Sequence, residues 1–123
     1  MPKKVLDVGN CNPDHGSLTH LLQSNFDVDV SRTHGMRDTL ELLQTDEFDL
    51  ILVNRLMDRD GSSGLEIIKK IKEDANTIET PVMMITNFPD HQAAAVSVGA
   101  IHGFGKSELH EPDTLRKLEA CLS

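Results

Sequence analysis

The side chains able to do chemistry in this sequence follow directly on its apolar runs. Asn10 and Cys11 come after Val5 to Gly9, Asn54 after Leu50-Ile51-Leu52-Val53, Thr86 after Val82-Met83-Met84-Ile85, and Lys106 just past Ile101 to Phe104. They offer a thiol, a hydroxyl, an ammonium and two carboxamides, with no carboxylate among them. A thiol set before a helix can act as a nucleophile. A lysine, a hydroxyl and an amide can hold an anion. A Mg²⁺ site needs hard, charged oxygen ligands, and these five residues supply none.

For such residues to meet, the apolar runs must lie side by side. Val5 to Gly9 reads as a first strand and Asn10 to Asp14 as a turn, followed by a helix with Leu18, Leu21 and Leu22 on one face. Val28 and Val30 alternate with Asp27 and Asp29 in a half-exposed second strand. Met36, Leu40 and Leu43 then recur at helical spacing. Phe48 to Val53 contains the run Leu50 to Val53, of the kind buried on both faces of a parallel sheet. Beyond the polar loop Asn54 to Ser63 comes a helix carrying Leu65, Ile67, Ile68 and Ile71. Pro81 starts a fourth strand, Asn87 to Asp90 is a loop, and an Ala-rich helix with a weak apolar face covers Gln92 to Val98. Ile101 to Phe104 makes a short fifth strand. Glu111-Pro112-Asp113 opens a last helix, with Leu115, Leu118 and Leu122 facing inward. Five strand–helix units predict an α/β fold, a parallel sheet with helices on both faces, and residues 1–123 fit one domain. In such sheets sites gather beyond the carboxyl ends of the strands, where these residues stand.

Bulk properties narrow the partners. The net charge of −8 opposes a broad nucleic-acid surface and suits meetings with other proteins. Aromatic residues are 3%, with no Trp or Tyr, too few for a base- or flavin-stacking platform. Cys11 and Cys121 form neither a CxxC pair nor a metal spacing, so a reducing cytoplasm is expected. No signal peptide and no membrane-spanning run is read, so no membrane partner is expected.

Three passages in order resemble the receiver domain of two-component response regulators, over essentially the whole chain. Phe48-Asp49-Leu50-Ile51-Leu52-Val53-Asn54-Arg55-Leu56-Met57, then Gly64-Leu65-Glu66, looks like that family's third strand and phosphorylation loop. Thr80-Pro81-Val82-Met83-Met84-Ile85-Thr86 looks like its fourth strand with the switch hydroxyl, and Gly99-Ala100 through Lys106 like its fifth strand with the lysine. The resemblance implies a flavodoxin-like (βα)5 sandwich with strand order 2-1-3-4-5. It also implies an Asp nucleophile after strand three, two acids after strand one that hold Mg²⁺ with it, a Thr or Ser after strand four, and a Lys after strand five.

The departures from that pattern carry the functional reading. Asn54 stands at the nucleophile position, and a carboxamide is too poor a nucleophile to form an acyl phosphate. The acid-pair positions fall on Gly9, Asn10 or Cys11; alignment through Pro13 gives Asn10 and Cys11. Thr86 and Lys106 match, but Ser107 replaces the usual Pro, and the strand-five aromatic position aligns with Gly103 unless the register slips to Phe104. The loop after Asn54 holds about two extra residues. The chain therefore reads as a pseudo-receiver: fold kept, phosphoryl switch lost. With the acids gone, the pocket at Lys106, Thr86 and Asn54 becomes a candidate site for sulfate, phosphate or a partner's carboxylate. The competing reading pairs Lys106 internally with Asp14, Asp58 or Asp60.

Other features read as structural. Asp58-Arg59-Asp60-Gly61 suggests a Ca²⁺ loop, but an EF-hand register puts Leu56 first and Ile67 twelfth, which leaves a solvated turn. Neither Asp58 nor Asp60 sits at a strand end to accept phosphate. Cys11 before a Gly-Ser loop is similar to phosphocysteine enzymes, yet the low-molecular-weight tyrosine phosphatases need an Arg six residues on, where Ser17 stands. The six histidines show no metal spacing, so neither metal nor cofactor is expected. Cys121, Met36, Met83 and Met84 read as core.

The expectation is a non-enzymatic signalling module that binds a protein partner, a signalling protein or kinase, independently of Asp phosphorylation. The alternatives are a phosphorelay receiver with an atypical acceptor and a small Cys11-dependent phosphoryl-transfer enzyme. By the resemblance, partners meet the face formed by Gln92 to Val98, Ile101 to Phe104 and Thr114 to Leu122. The oligomeric state is open.

Overall fold

A computed structural model describes residues 2–123. Its strands are β1 (Lys3–Val8), β2 (Val28–Thr33), β3 (Leu50–Asn54), β4 (Val82–Ile85) and β5 (Ile101–Phe104). Its α-helices are α1 (Asn12–Asn25), α2 (Met36–Thr45), α3 (Gly64–Glu73), α4 (Pro89–Ser97) and α5 (Pro112–Leu122), with one 3-10 turn at Lys106–Glu108. The five strands form a single parallel sheet in the order β2-β1-β3-β4-β5. This is the order and class the sequence led us to expect.

The sheet is buried on both faces because its central strands are apolar at every position or nearly so. Side chains alternate between the faces. Leu50, Leu52, Met83, Ile85 and Phe104 pack with Leu18, Leu21, Leu22, Leu118 and Leu122 of α1 and α5. Ile51, Val53, Val82 and Met84 pack with Ile67, Ile68, Ile71 and Ala95 of α3 and α4. Each fully buried aliphatic contributes about 1.5–3 kcal/mol.

Two helix starts lie earlier than the sequence reading placed them. The supposed turn Asn10 to Asp14 and the supposed loop Asn87 to Asp90 both hold a first helical turn, with Pro13 and Pro89 near its beginning. Proline suits that position because the N–H it lacks would have no helical partner. The first strand also begins earlier, at Lys3, because Lys3 and Lys4 pair in register with Val28 and Asp29. It ends at Val8, since Gly9 turns away with φ +78°. The third strand runs from Leu50 to Asn54 rather than from Phe48 to Val53.

Candidate functional site

On the β1–β3 side of the loop end, polar groups are held by one another. The register Val8↔Val53 brings Gly9 level with Asn54. Asn54 Nδ2 donates to the Gly9 carbonyl (3.0 Å) and Asn54 Oδ1 accepts from the Arg55 N–H (2.9 Å), so both ends of the carboxamide are spent. A Cβ on Gly9 would run into the Met57 side chain, and the positive φ disfavours other residues there as well. Asn10 is wholly buried, and its Nδ2 donates to Asp7 Oδ1 at 2.6 Å. Asp7, also wholly buried, meets His15 Nδ1 through its other oxygen at 2.6 Å. Arg32 Nη2 donates to the Asn10 carbonyl (2.8 Å). Cys11 lies at the N-cap of α1, and its sulfhydryl donates to Asp14 Oδ2 (3.2 Å).

The loop with extra residues folds over this cluster. Leu56 bridges Ser63 in antiparallel fashion, Met57 N–H donates to the Ser62 carbonyl (2.9 Å), and Gly61, at φ +70°, donates to the Met57 carbonyl (2.9 Å). Asp58 N–H donates to Gly9 O (3.0 Å), and Met57 is 2% exposed. Asp58 to Gly61 is thus the turn of this small hairpin. The Ser62 hydroxyl, and after it the Ser62 N–H that donates to Asp60 Oδ1, hold the exposed Asp60 carboxyl below the usual range. Among the described residues, no group of three His, Cys, Asp or Glu side chains is placed to hold a metal.

The β4–β5 side is open. Asn54, Thr86 and Lys106 border a cavity of about 290 Å³, together with Arg55, Leu56 and Phe88; Asn10 and Cys11 stand outside it. Thr86 Oγ1 accepts from Phe88 N–H (3.3 Å), leaving the hydroxyl hydrogen free to donate. Lys106 Nζ pairs with Asp14 Oδ2 at 2.7 Å. Of the three acids considered for it, Asp14 is the partner. The lysine holds the Asp14 carboxyl below its ordinary value, against the opposing effect of burial, with the Cys11 hydrogen bond adding to the lowering.

The switch-aromatic position is filled in an unanticipated way. Gly103 packs so closely on β4 that a Cβ would strike the Met84 carbonyl. The pairing slips between Met83↔Ile101 and Ile85↔Phe104, two steps along β4 facing three along β5. Gln92 bridges the irregularity: its Nε2 donates to Met84 O (2.9 Å) and Thr86 O (3.2 Å), and its Oε1 accepts from Gly103 N–H (2.8 Å). Phe104 points into the core against α1 and α5, 1% exposed, so no aromatic sits at the switch position.

Sequence reasoning missed Asp7, His15 and Arg32 as one network, Gln92 as an anchor, and Arg55 with Phe88 as the cavity rim. Asp7 alone gave a signal, as an acid inside an apolar run.

The family model for the response regulator receiver domain matches residues 14–116. Among solved structures, the chemotaxis response regulator CheY4 of Vibrio cholerae is similar, at 24% identity over 99% of this chain and 100% of that one, TM-score 0.76. A response regulator from Chloroflexus aurantiacus aligns at 17% identity over 98% of both chains, TM-score 0.80. One from Burkholderia pseudomallei, solved with a phosphorylated aspartic acid, a calcium ion and citrate, aligns at 20% identity over 98% of this chain and 66% of that one, TM-score 0.74. No curated protein matches the sequence. No described helix is long and apolar enough to cross a membrane. A parallel 2-1-3-4-5 sheet, a threonine after β4, a lysine after β5 and a family match over most of the length place the chain in the response regulator receiver domain family.

Proposed function

We propose that this receiver domain is a pseudo-receiver, a signalling module that acts by binding a protein partner without phosphorylation of an aspartate. The observation carrying this reading is Asn54 at the end of β3, with both ends of its carboxamide hydrogen-bonded to the backbone. A neutral amide supplies no nucleophilic oxygen, and Gly9, Asn10 and Cys11 supply no carboxylate for Mg²⁺. The glycine at 103 and the inward Phe104 support loss of the switch as well. On this reading the domain holds one conformation, since no ligand remains to favour a second. Exposed Val96 and Ile101 lie on the α4–β5–α5 face and suit it to contact with a partner.

The test is a set of two-dimensional amide spectra of the chain with Mg²⁺ and then with Mg²⁺ plus beryllofluoride, for wild type and Asn54→Asp. Unchanged spectra at positions 10, 54, 86 and 106 in both proteins are expected. In the variant the introduced carboxylate faces the Gly9 carbonyl, and the acid pair is still missing. Saturable shifts in the wild type would overturn the reading.

A further inference from the structure

The cavity beside Thr86 carries cations and apolar surface but no acid of its own, in a chain with 20 acidic residues against 12 basic ones. The Arg55 guanidinium lies 5.8 Å from the centroid of the Phe88 ring, and no carboxylate among the described residues lies within ion-pair distance of it. Lys106 gives one N–H to Asp14 and keeps two more, its side chain 37% exposed. The Thr86 hydroxyl hydrogen is also free. Asp14 shares one of these three donors, through Lys106, and the carboxamide oxygens on the lining, those of Asn54 and Asn87, already accept from the Arg55 N–H and from Ser107. The donors left over suit a carboxylate, an acceptor-only group. Phe88 (56% exposed) and Leu56 (41% exposed) flank them. A small inorganic anion would leave both apolar side chains in water, whereas an apolar neighbour on a peptide would cover them.

We propose that this cavity is the docking site for an acidic segment of a protein partner, a Glu or Asp side chain entering between Arg55, Thr86 and Lys106 with an adjacent apolar residue on Leu56 and Phe88. The proposal rests on the pseudo-receiver reading, because a phosphorylated aspartate in the same place would exclude the incoming carboxylate.

The experiment titrates the ¹⁵N-labelled chain with a capped Leu-Glu-Phe-Glu-Leu peptide. Saturable shifts at the amides of Arg55, Thr86, Phe88 and Lys106 are expected. Affinity should fall about tenfold or more with the peptide's Glu changed to Gln, and likewise in Arg55→Glu, which should gain affinity for the version carrying Lys instead. Arg55 is partly exposed, and unchanged spectra elsewhere establish that the variant folds. Absence of shifts, equal binding of the Gln peptide, or tighter binding of inorganic phosphate at the same amides would overturn the proposal. Such a failure alongside spectra indifferent to beryllofluoride removes the occupant alone; a beryllofluoride response removes the reading beneath it.

Discussion

The two sides of the loop end share a sheet edge and differ in how their polar groups are used. On the β1–β3 side, Asp7, Asn10, His15, Arg32 and Asn54 direct most of their hydrogen bonds to one another and to the backbone, with Asn10 Oδ1 and Arg32 Nε left buried without a partner. On the β4–β5 side, Arg55, Lys106 and the largely buried Thr86 keep donors on the lining of an open cavity. Leaving a buried polar group unpaired costs stability, whereas a donor on an open cavity keeps access to water or a ligand. One side is therefore built as scaffold, and the other remains able to bind.

The contrast breaks most visibly at Asp7. Asp7→Ala leaves the buried Asn10 amide and the His15 ring nitrogen without their acceptor, and should cost about 3 kcal/mol in urea unfolding. Far-UV circular dichroism must follow the transition, since the chain has neither Trp nor Tyr. A loss under about 1 kcal/mol would mean that the network is ornamental. Next is Gln92→Leu, which strips partners from Gly103 N–H, Met84 O and Thr86 O and should cost about 2–3 kcal/mol. Because Thr86 lies at the cavity, broadened Thr86 and Phe88 amide signals should accompany the loss. Sharp signals would show that the open side does not depend on this anchor.

The smallest effect belongs to the pair that joins the two sides. Asp14→Asn removes the Lys106 ion pair and should cost less than about 1 kcal/mol at pH 7, since both side chains are about a third exposed. The folded Asp14 carboxyl titrates below its unfolded value of roughly 3.9, so this contribution is complete above that pH and disappears as pH falls through the folded value. The stability difference between wild type and variant should therefore close below about pH 4. A difference that persisted at lower pH would point to packing rather than charge.

Much of the architecture was legible because it depends on apolar runs. Leu50 to Val53 and Val82 to Ile85 can only be buried strands, and order along the chain then fixes the layers. Proline was read unevenly. Pro112 was taken as a helix start, whereas Pro13 and Pro89, obeying the same rule, were left in loops because polar turn residues surround them. Gln92 escaped notice since a lone polar side chain on an Ala-rich helix looks exposed, and only the tertiary slip at β5 gives it work. Strand ends alone brought Asn10, Cys11, Asn54, Thr86 and Lys106 to one end of the sheet, and of these Asn54, Thr86 and Lys106 share the cavity. Which acid would face Lys106 could not, because the choice among Asp14, Asp58 and Asp60 depends on how α1 begins and how the loop after β3 folds.

Met57 seated over Gly9 has a consequence for the paths open to this sequence. A carboxylate introduced at position 9 alone must displace the end of that side chain and demands a disfavoured backbone conformation. A carboxylate introduced at position 54 alone confronts the Gly9 carbonyl, with Arg55 and Lys106 the cations bordering the same cavity. Each single step toward a metal-dependent phosphoryl acceptor is penalised until the others have been taken. On the pseudo-receiver reading proposed above, the closed side thus resists conversion to an acidic site one residue at a time.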